Sequence, residues 1–143
     1  SSRHEQIQGI RMHRIFEFIL SKNDIPVAVH KAIAEGIIEE KQYQEYVNYC
    51  TQAIEQSNVS KWFDTTYRIQ TEQGISTPEG EKRPDRLVFT EANTIEVIDY
   101  KFTLETQTKH IQQVQEYVRV LQSMGYTVTG YVWYVLLHKV LEV

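Results

Sequence analysis

The chain has 143 residues, 41% of them hydrophobic and 24% charged, which is the composition of a folded domain long enough to bury a core. With 15 Lys and Arg against 19 Asp and Glu, the formal net charge is -4, which excludes a global positive field for nucleic acid and leaves only a local basic surface. Cys50 is the only cysteine, which excludes an internal disulfide, a four-thiolate zinc site and an iron–sulfur cluster, and suits a reducing, cytoplasmic compartment.

The chain opens on Ser1-Ser2 with no Met, so a piece trimmed from a longer protein is expected. No run of eighteen apolar residues occurs, and no membrane partner is expected. The first half reads as helical. Met12, Ile15, Phe16, Ile19 and Leu20 follow the spacing of a helix with one buried face. Asp24-Ile25-Pro26 suits the start of a second helix, capped at Asp24 or Ile25 and running to about Gly36. A third, from about Glu39 to Gln56, aligns Tyr43, Tyr46, Val47, Cys50 and Ile54.

After Trp62-Phe63 the period falls to two. Tyr67 to Glu72 alternates as a half-buried strand, and Gly74 to Gly80 is a turn-rich loop. Two strands follow on either side of Glu91-Ala92-Asn93. Helical spacing returns from about Thr106 to Met124 through Ile111, Val114, Val118 and Leu121, with Gly125 as a left-handed C-terminal cap. Thr127 to Leu137 is apolar on both faces, as in a covered central strand, and His138 to Val143 adds a last short one. The order predicts a single α/β domain over residues 1–143, a mixed central sheet flanked by helices behind an N-terminal helical segment.

The hairpin carries the chemistry. A three-residue loop at Glu91-Ala92-Asn93 makes opposed residue numbers sum to 184, so Phe89 faces Ile95, Leu87 faces Val97 and Asp85 faces Asp99. By alternation all six share one face with Lys101. The two carboxylates then have Cβ atoms about 4.5–5.5 Å apart, and Lys101 lies about 6.6 Å beyond Asp99. Such a pair repels unless something positive lies between, and a hard divalent cation with oxygen ligands does that. A two-residue loop would make the sum odd and separate the aspartates. Asp-x-Lys alone also describes a solvated strand end with a surface ion pair.

These residues resemble a known superfamily. Pro84-Asp85, thirteen residues, then Asp99-Tyr100-Lys101 is a literal PD-(D/E)XK nuclease motif. The wider pattern is similar to the RecB-type branch, the nuclease domain of UvrD-like helicase–nucleases (exonuclease V beta-subunit-like). It includes Gly9-Ile10-Arg11-Met12-His13 on an early helix, Arg83-Pro84-Asp85-Arg86 entering the second strand, and Gln113-Val114-Gln115-Glu116-Tyr117 on the following helix. All occur in the family's order, over about residues 7 to 136. Where the branch follows its lysine with Thr-Gly, this chain has Phe102-Thr103.

The resemblance implies a restriction-endonuclease-like core and a Mg²⁺-dependent deoxyribonuclease, with Mn²⁺ able to substitute. Asp85, Asp99, the backbone carbonyl of Tyr100 and His13 would hold the metal, and Lys101 would orient the attacking water and stabilise phosphate charge. On spacing alone His13 reads as a core-edge residue. Gln113 and Tyr117, one turn apart, are either positioning residues near DNA or ordinary helix–sheet packing. Arg83 and Arg86, with Lys82, Lys109 and Arg119, are candidates for phosphate contacts, and Glu72 is either a residue that reaches the metal through water or an exposed strand end. His110 shares the face of Gln113 and Tyr117.

The implied partners are DNA, single-stranded in the main, helicase domains of the same parent chain, and a second subunit. The implied role is DNA break processing and recombinational repair. No Walker A sequence is present, so ATP would act only through those helicase domains. Two alternatives stay open: an inactive DNA-end-binding module of the same fold, and a stand-alone restriction-type or resolvase nuclease.

Overall fold

Helical spacing marks the first half of the chain, and alternation interrupted by one helix marks the second. The computed structural model describes residues 3–56, 58–71 and 83–143, and falls into two compact units, Ser1–Thr66 and Tyr67–Val143. The first unit holds α1 (Arg3–Glu17), α2 (Ile25–Ala34) and α3 (Tyr43–Ile54). Met12, Ile15, Phe16 and Ile19 are fully buried, as their spacing predicts, and Phe16 meets Phe63 edge to face. Leu20 departs from that stripe and is exposed, because α1 ends at Glu17. The chain then turns into Asp24, whose carboxylate accepts the backbone N–H groups of Leu20 and Ser21. The helix expected from Glu39 starts at Tyr43, after a single 3₁₀ turn at Glu40–Gln42 in which Glu39 N–H donates to Gln42 Oε1.

The second unit is α/β, a five-stranded mixed sheet with a helix on it. Its strands are β1 (Arg68–Thr71), β2 (Arg86–Glu91), β3 (Thr94–Lys101), β4 (Thr127–Tyr134) and β5 (Lys139–Glu142), ordered β1-β2-β3-β4-β5. Only β3 and β4 run parallel, joined by the crossover helix α4 (Thr108–Ser123). Strand β4 stops at Tyr134 rather than Leu137, because Val135–Leu137 forms a 3₁₀ turn leading into β5. Glu72, Lys82 and the Gly74–Gly80 loop lie outside the described residues.

The β2–β3 register decides the faces. Arg86 opposes Ile98, Leu87 opposes Val97, and Phe89 opposes Ile95, a sum of 184 as predicted. The loop itself differs. Only Ala92 and Asn93 form the turn, and Glu91 opposes Thr94, a sum of 185. A bulge between Phe89 and Glu91 absorbs the odd residue and restores the even register beyond it. A two-residue turn plus one bulged residue therefore has the parity of a three-residue loop.

Leu87, Phe89, Ile95, Val97, Val132 and Tyr134 form a core with Val114, Ile111, Val118 and Leu121 of α4. Arg86, Val88, Ile98, Tyr100 and Trp133 alternate onto the other face and are buried as well. Gly125, at φ +100°, ends α4 in the left-handed conformation. Gly130 lets α4 sit directly on β4: a Cβ there would lie 2.7 Å from Val114 Cγ1 and from Val118 Cγ2, and 2.9 Å from Val143 Cγ2. Branched side chains on a helix have one favoured rotamer and little room to yield. Gly130→Ala should therefore destabilise the unit by about 1–3 kcal/mol through overpacking. Urea denaturation would read this as a lower midpoint at an unchanged slope.

Candidate active site

The aspartates meet where the β2–β3 ladder ends. Strand β3 runs on to Lys101, while β2 begins only at Arg86, so the next N–H groups lack ordinary ladder partners. Side chains take their place. Tyr100 N–H donates to Asp85 Oδ2 at 2.8 Å, and Asp85 N–H donates to Asp99 Oδ1 at 3.0 Å. Each carboxylate is thus tied by one oxygen to the opposite strand, and each has a second oxygen outside these two bonds. Asp99 is 3% exposed, and Asp85 is half-buried.

This donor set suits a hard divalent cation. Mg²⁺ binds through one or two carboxylates and keeps several waters. A strand residue turns its N–H and C=O to the same neighbour, so the Tyr100 carbonyl points to the side on which Asp85 takes its N–H. Among the described residues no three His, Cys, Asp or Glu side chains are gathered for a metal. Asp85, Asp99 and the Tyr100 carbonyl offer three oxygens at this strand end.

Lys101 ends β3 two residues beyond Asp99, and its Nζ donates to Gln113 Oε1 at 3.4 Å. Gln113 lies on α4 with Lys109 and His110, and these four residues line a cleft of about 280 Å³. His110 is 7% exposed, and its Nδ1 lies 2.9 Å from the Tyr134 hydroxyl. That hydroxyl already accepts Gln107 N–H at 3.1 Å. The Tyr134 side chain is fully buried, and among the described residues Nδ1 is the one acceptor for its own hydrogen, so the hydroxyl donates to Nδ1 and the imidazole proton sits on Nε2. Burial, then the charges of Lys101 and Lys109, push the imidazole down to about 4. The bond from Gln107, whose backbone is extended, also explains why α4 starts at Thr108 rather than near Thr106.

The remaining predicted residues separate. Tyr117 packs on the α4–sheet core. Arg83 is exposed. Arg86 is wholly buried, and its Nε donates to the Tyr100 hydroxyl at 2.7 Å. It follows Asp85 directly, so alternation puts it on the opposite face of the sheet, and a surface contact to phosphate does not suit it. Burial raises the Tyr100 phenol, which remains a neutral acceptor for that guanidinium. Arg119 is exposed and paired with Glu116.

His13 belongs to the first unit, half-buried on α1 and lining a cleft with Ile10, Arg14, Glu17, Glu35 and Ile37. Its Nδ1 lies 2.9 Å from the Gly9 carbonyl, which can only accept, so Nδ1 carries a proton and donates it there. Cys50 is buried, and burial pushes its thiol up to about 12, far from a nucleophile's range.

Sequence reasoning passed over the His110–Tyr134 pair. The only local signal was the three-residue spacing of His110 and Gln113 on α4, and the partner lies 24 residues downstream.

The pH behaviour follows from His110. Unfolded, its imidazole titrates near 6.5; folded, at about 4. Between those values the unfolded chain takes up a proton that the folded chain refuses. The stabilisation is complete above pH 6.5 and is lost as pH falls towards 4, on the order of 2 kcal/mol from this residue. His110→Gln should flatten the fall in unfolding free energy across that window, measured by denaturant titration at successive pH values.

No family model matches the sequence, and no curated protein matches it either.

Proposed function

We propose that the chain is a metal-dependent DNA nuclease domain that hydrolyses phosphodiester bonds, with a restriction-endonuclease-like core of the RecB-type PD-(D/E)XK kind. The observation that carries this reading is the pair of bonds that joins the two aspartates' segments, Asp85 N–H to Asp99 and Tyr100 N–H to Asp85, with Lys101 two residues beyond Asp99. Without a cation to share, a pair of carboxylates closing a ladder costs the fold repulsion and desolvation.

Asp85, Asp99 and the Tyr100 carbonyl would hold Mg²⁺ or Mn²⁺. Bound there, the ion would supply Lewis acidity for activating a water and offsetting negative charge on the phosphate. The chain's own residues do the positioning. The backbone N–H bonds fix both carboxylates before any ligand arrives, so little reorganisation remains for the reaction. Lys101, steadied by Gln113 Oε1, orients the attacking water and stabilises the phosphate oxygens as charge builds on them.

Single-stranded DNA is the proposed substrate, and break processing within a larger cytoplasmic helicase–nuclease is the proposed setting. A net charge of -4 supports a weak grip on DNA by the isolated chain, with helicase domains raising the effective concentration of the strand.

The chain should degrade single-stranded DNA with Mg²⁺ or Mn²⁺ and be silent in EDTA. Asp99→Ala and Lys101→Ala should each lower the rate by at least about a hundredfold. Their circular dichroism should match that of the unmodified chain. Wild-type rates in Lys101→Ala would remove its catalytic role. DNA binding without cutting, under all metals, would replace the nuclease reading with an end-binding module.

A further inference from the structure

The cleft beside Lys101 has a composition that the hydrolytic step does not require. Its lining is Lys101, Lys109, His110 and Gln113, two ammonium groups, an imidazole and an amide, with no carboxylate. That is unusual company in a chain whose acidic residues outnumber its basic ones, 19 to 15. The neutral groups take their orientation from their hydrogen bonds. Tyr134 hydroxyl donates to His110 Nδ1, which puts the proton on Nε2 and makes that nitrogen a donor. Gln113 Oε1 is engaged by Lys101 Nζ, which leaves the NH₂ group as the amide's donating end. His110 is 7% exposed and lines the cleft, and among the described residues the only hydrogen-bond partner of its ring is Tyr134, on the nitrogen away from Nε2. Two positively charged side chains and two neutral ones with donor groups line a space of about 280 Å³.

We propose that this cleft is an oxyanion subsite for a backbone phosphate of a nucleic-acid strand, held by Lys109 Nζ and His110 Nε2–H beside Lys101. The nuclease reading supplies the identity of that strand, whose neighbouring phosphate would meet Asp85 and Asp99. The chemistry fits a phosphodiester. Such a phosphate keeps its negative charge over the whole physiological range and offers two unbridged oxygens to donors. A buried imidazole held neutral gives the same directed hydrogen bond across that range, so the subsite does not depend on pH near neutrality. Lys109, exposed at the rim, supplies charge without having to be desolvated beforehand.

The test needs neither metal nor cutting, so it stands apart from the test of the nuclease reading. The full chain, with ¹⁵N-labelled histidine and in EDTA, is titrated with an octathymidylate lacking terminal phosphates. Parallel titrations use its uncharged methylphosphonate counterpart and inorganic phosphate. The His110 Nε2 resonance should move with the octathymidylate and stay still with the methylphosphonate. Lys109→Ala should weaken octathymidylate binding about tenfold. The same variant should reduce the slope of log affinity against log salt by about 0.7. An unmoved His110 resonance at saturation would overturn the proposal, as would an unchanged salt slope in Lys109→Ala. A shift with inorganic phosphate alone would also overturn it, in favour of a site for free or terminal phosphate. A chain that shows the octathymidylate shift but never cuts DNA keeps the subsite and loses only the nuclease reading.

Discussion

A β-ladder that ends unevenly leaves backbone groups to be satisfied, and here two carboxylates satisfy them. Asp85 receives the N–H of Tyr100, and Asp99 receives the N–H of Asp85. The site is therefore part of the sheet's own hydrogen bonding. Each carboxylate gains a charge-assisted bond of the kind that offsets desolvation, and each loses rotational freedom before any ligand arrives. Lys101 inherits its place from the same strand, two residues along the same face.

The other half of the arrangement comes from α4. That helix crosses between the parallel strands β3 and β4, and Val114, seated where Gly130 leaves space, fixes its approach. Its first turns then bring Lys109, His110 and Gln113 beside Lys101. Tyr134, at the end of β4, holds both the entry to α4 through Gln107 N–H and the imidazole of His110. One phenol thus couples helix start and cleft wall. Beneath the sheet, Arg86 and Tyr100 pair within the interior, with the Tyr100 ring edge-on to Trp133.

What could be read in advance followed from parity and spacing. Alternation alone placed Asp85, Asp99 and Lys101 on the face of Leu87 and Val97, because those aliphatic residues had to face a core. The loop was read one residue too long, yet the register came out even. Thr90 carries no sign of a bulge, since its branched side chain is typical of a regular strand, and so the turn and the bulge could not be told apart from a longer loop. Arg86 was read as a surface cation on the general habit of arginine. The alternation that placed Asp85 on one face already placed Arg86 on the other. His110 stayed silent because its meaning depends on Tyr134, and a long-range pair of this kind leaves no local period. The α/β class and α4 were legible because they rest on repeated apolar spacing over many residues.

The bulge near Thr90 makes the hairpin sensitive to length in a particular way. Substitutions at Glu91, Ala92 or Asn93 change only the exposed tip. Losing or gaining a single residue there is a different event. It must either erase the bulge, leaving every pair below it unchanged, or slide β2 by one position and turn Asp85 away from Asp99 while Arg86 rotates onto their face. An even change in length passes unnoticed by the carboxylates. The hairpin thus behaves as a counter with two states, in which odd insertions are absorbed at the bulge or break the site.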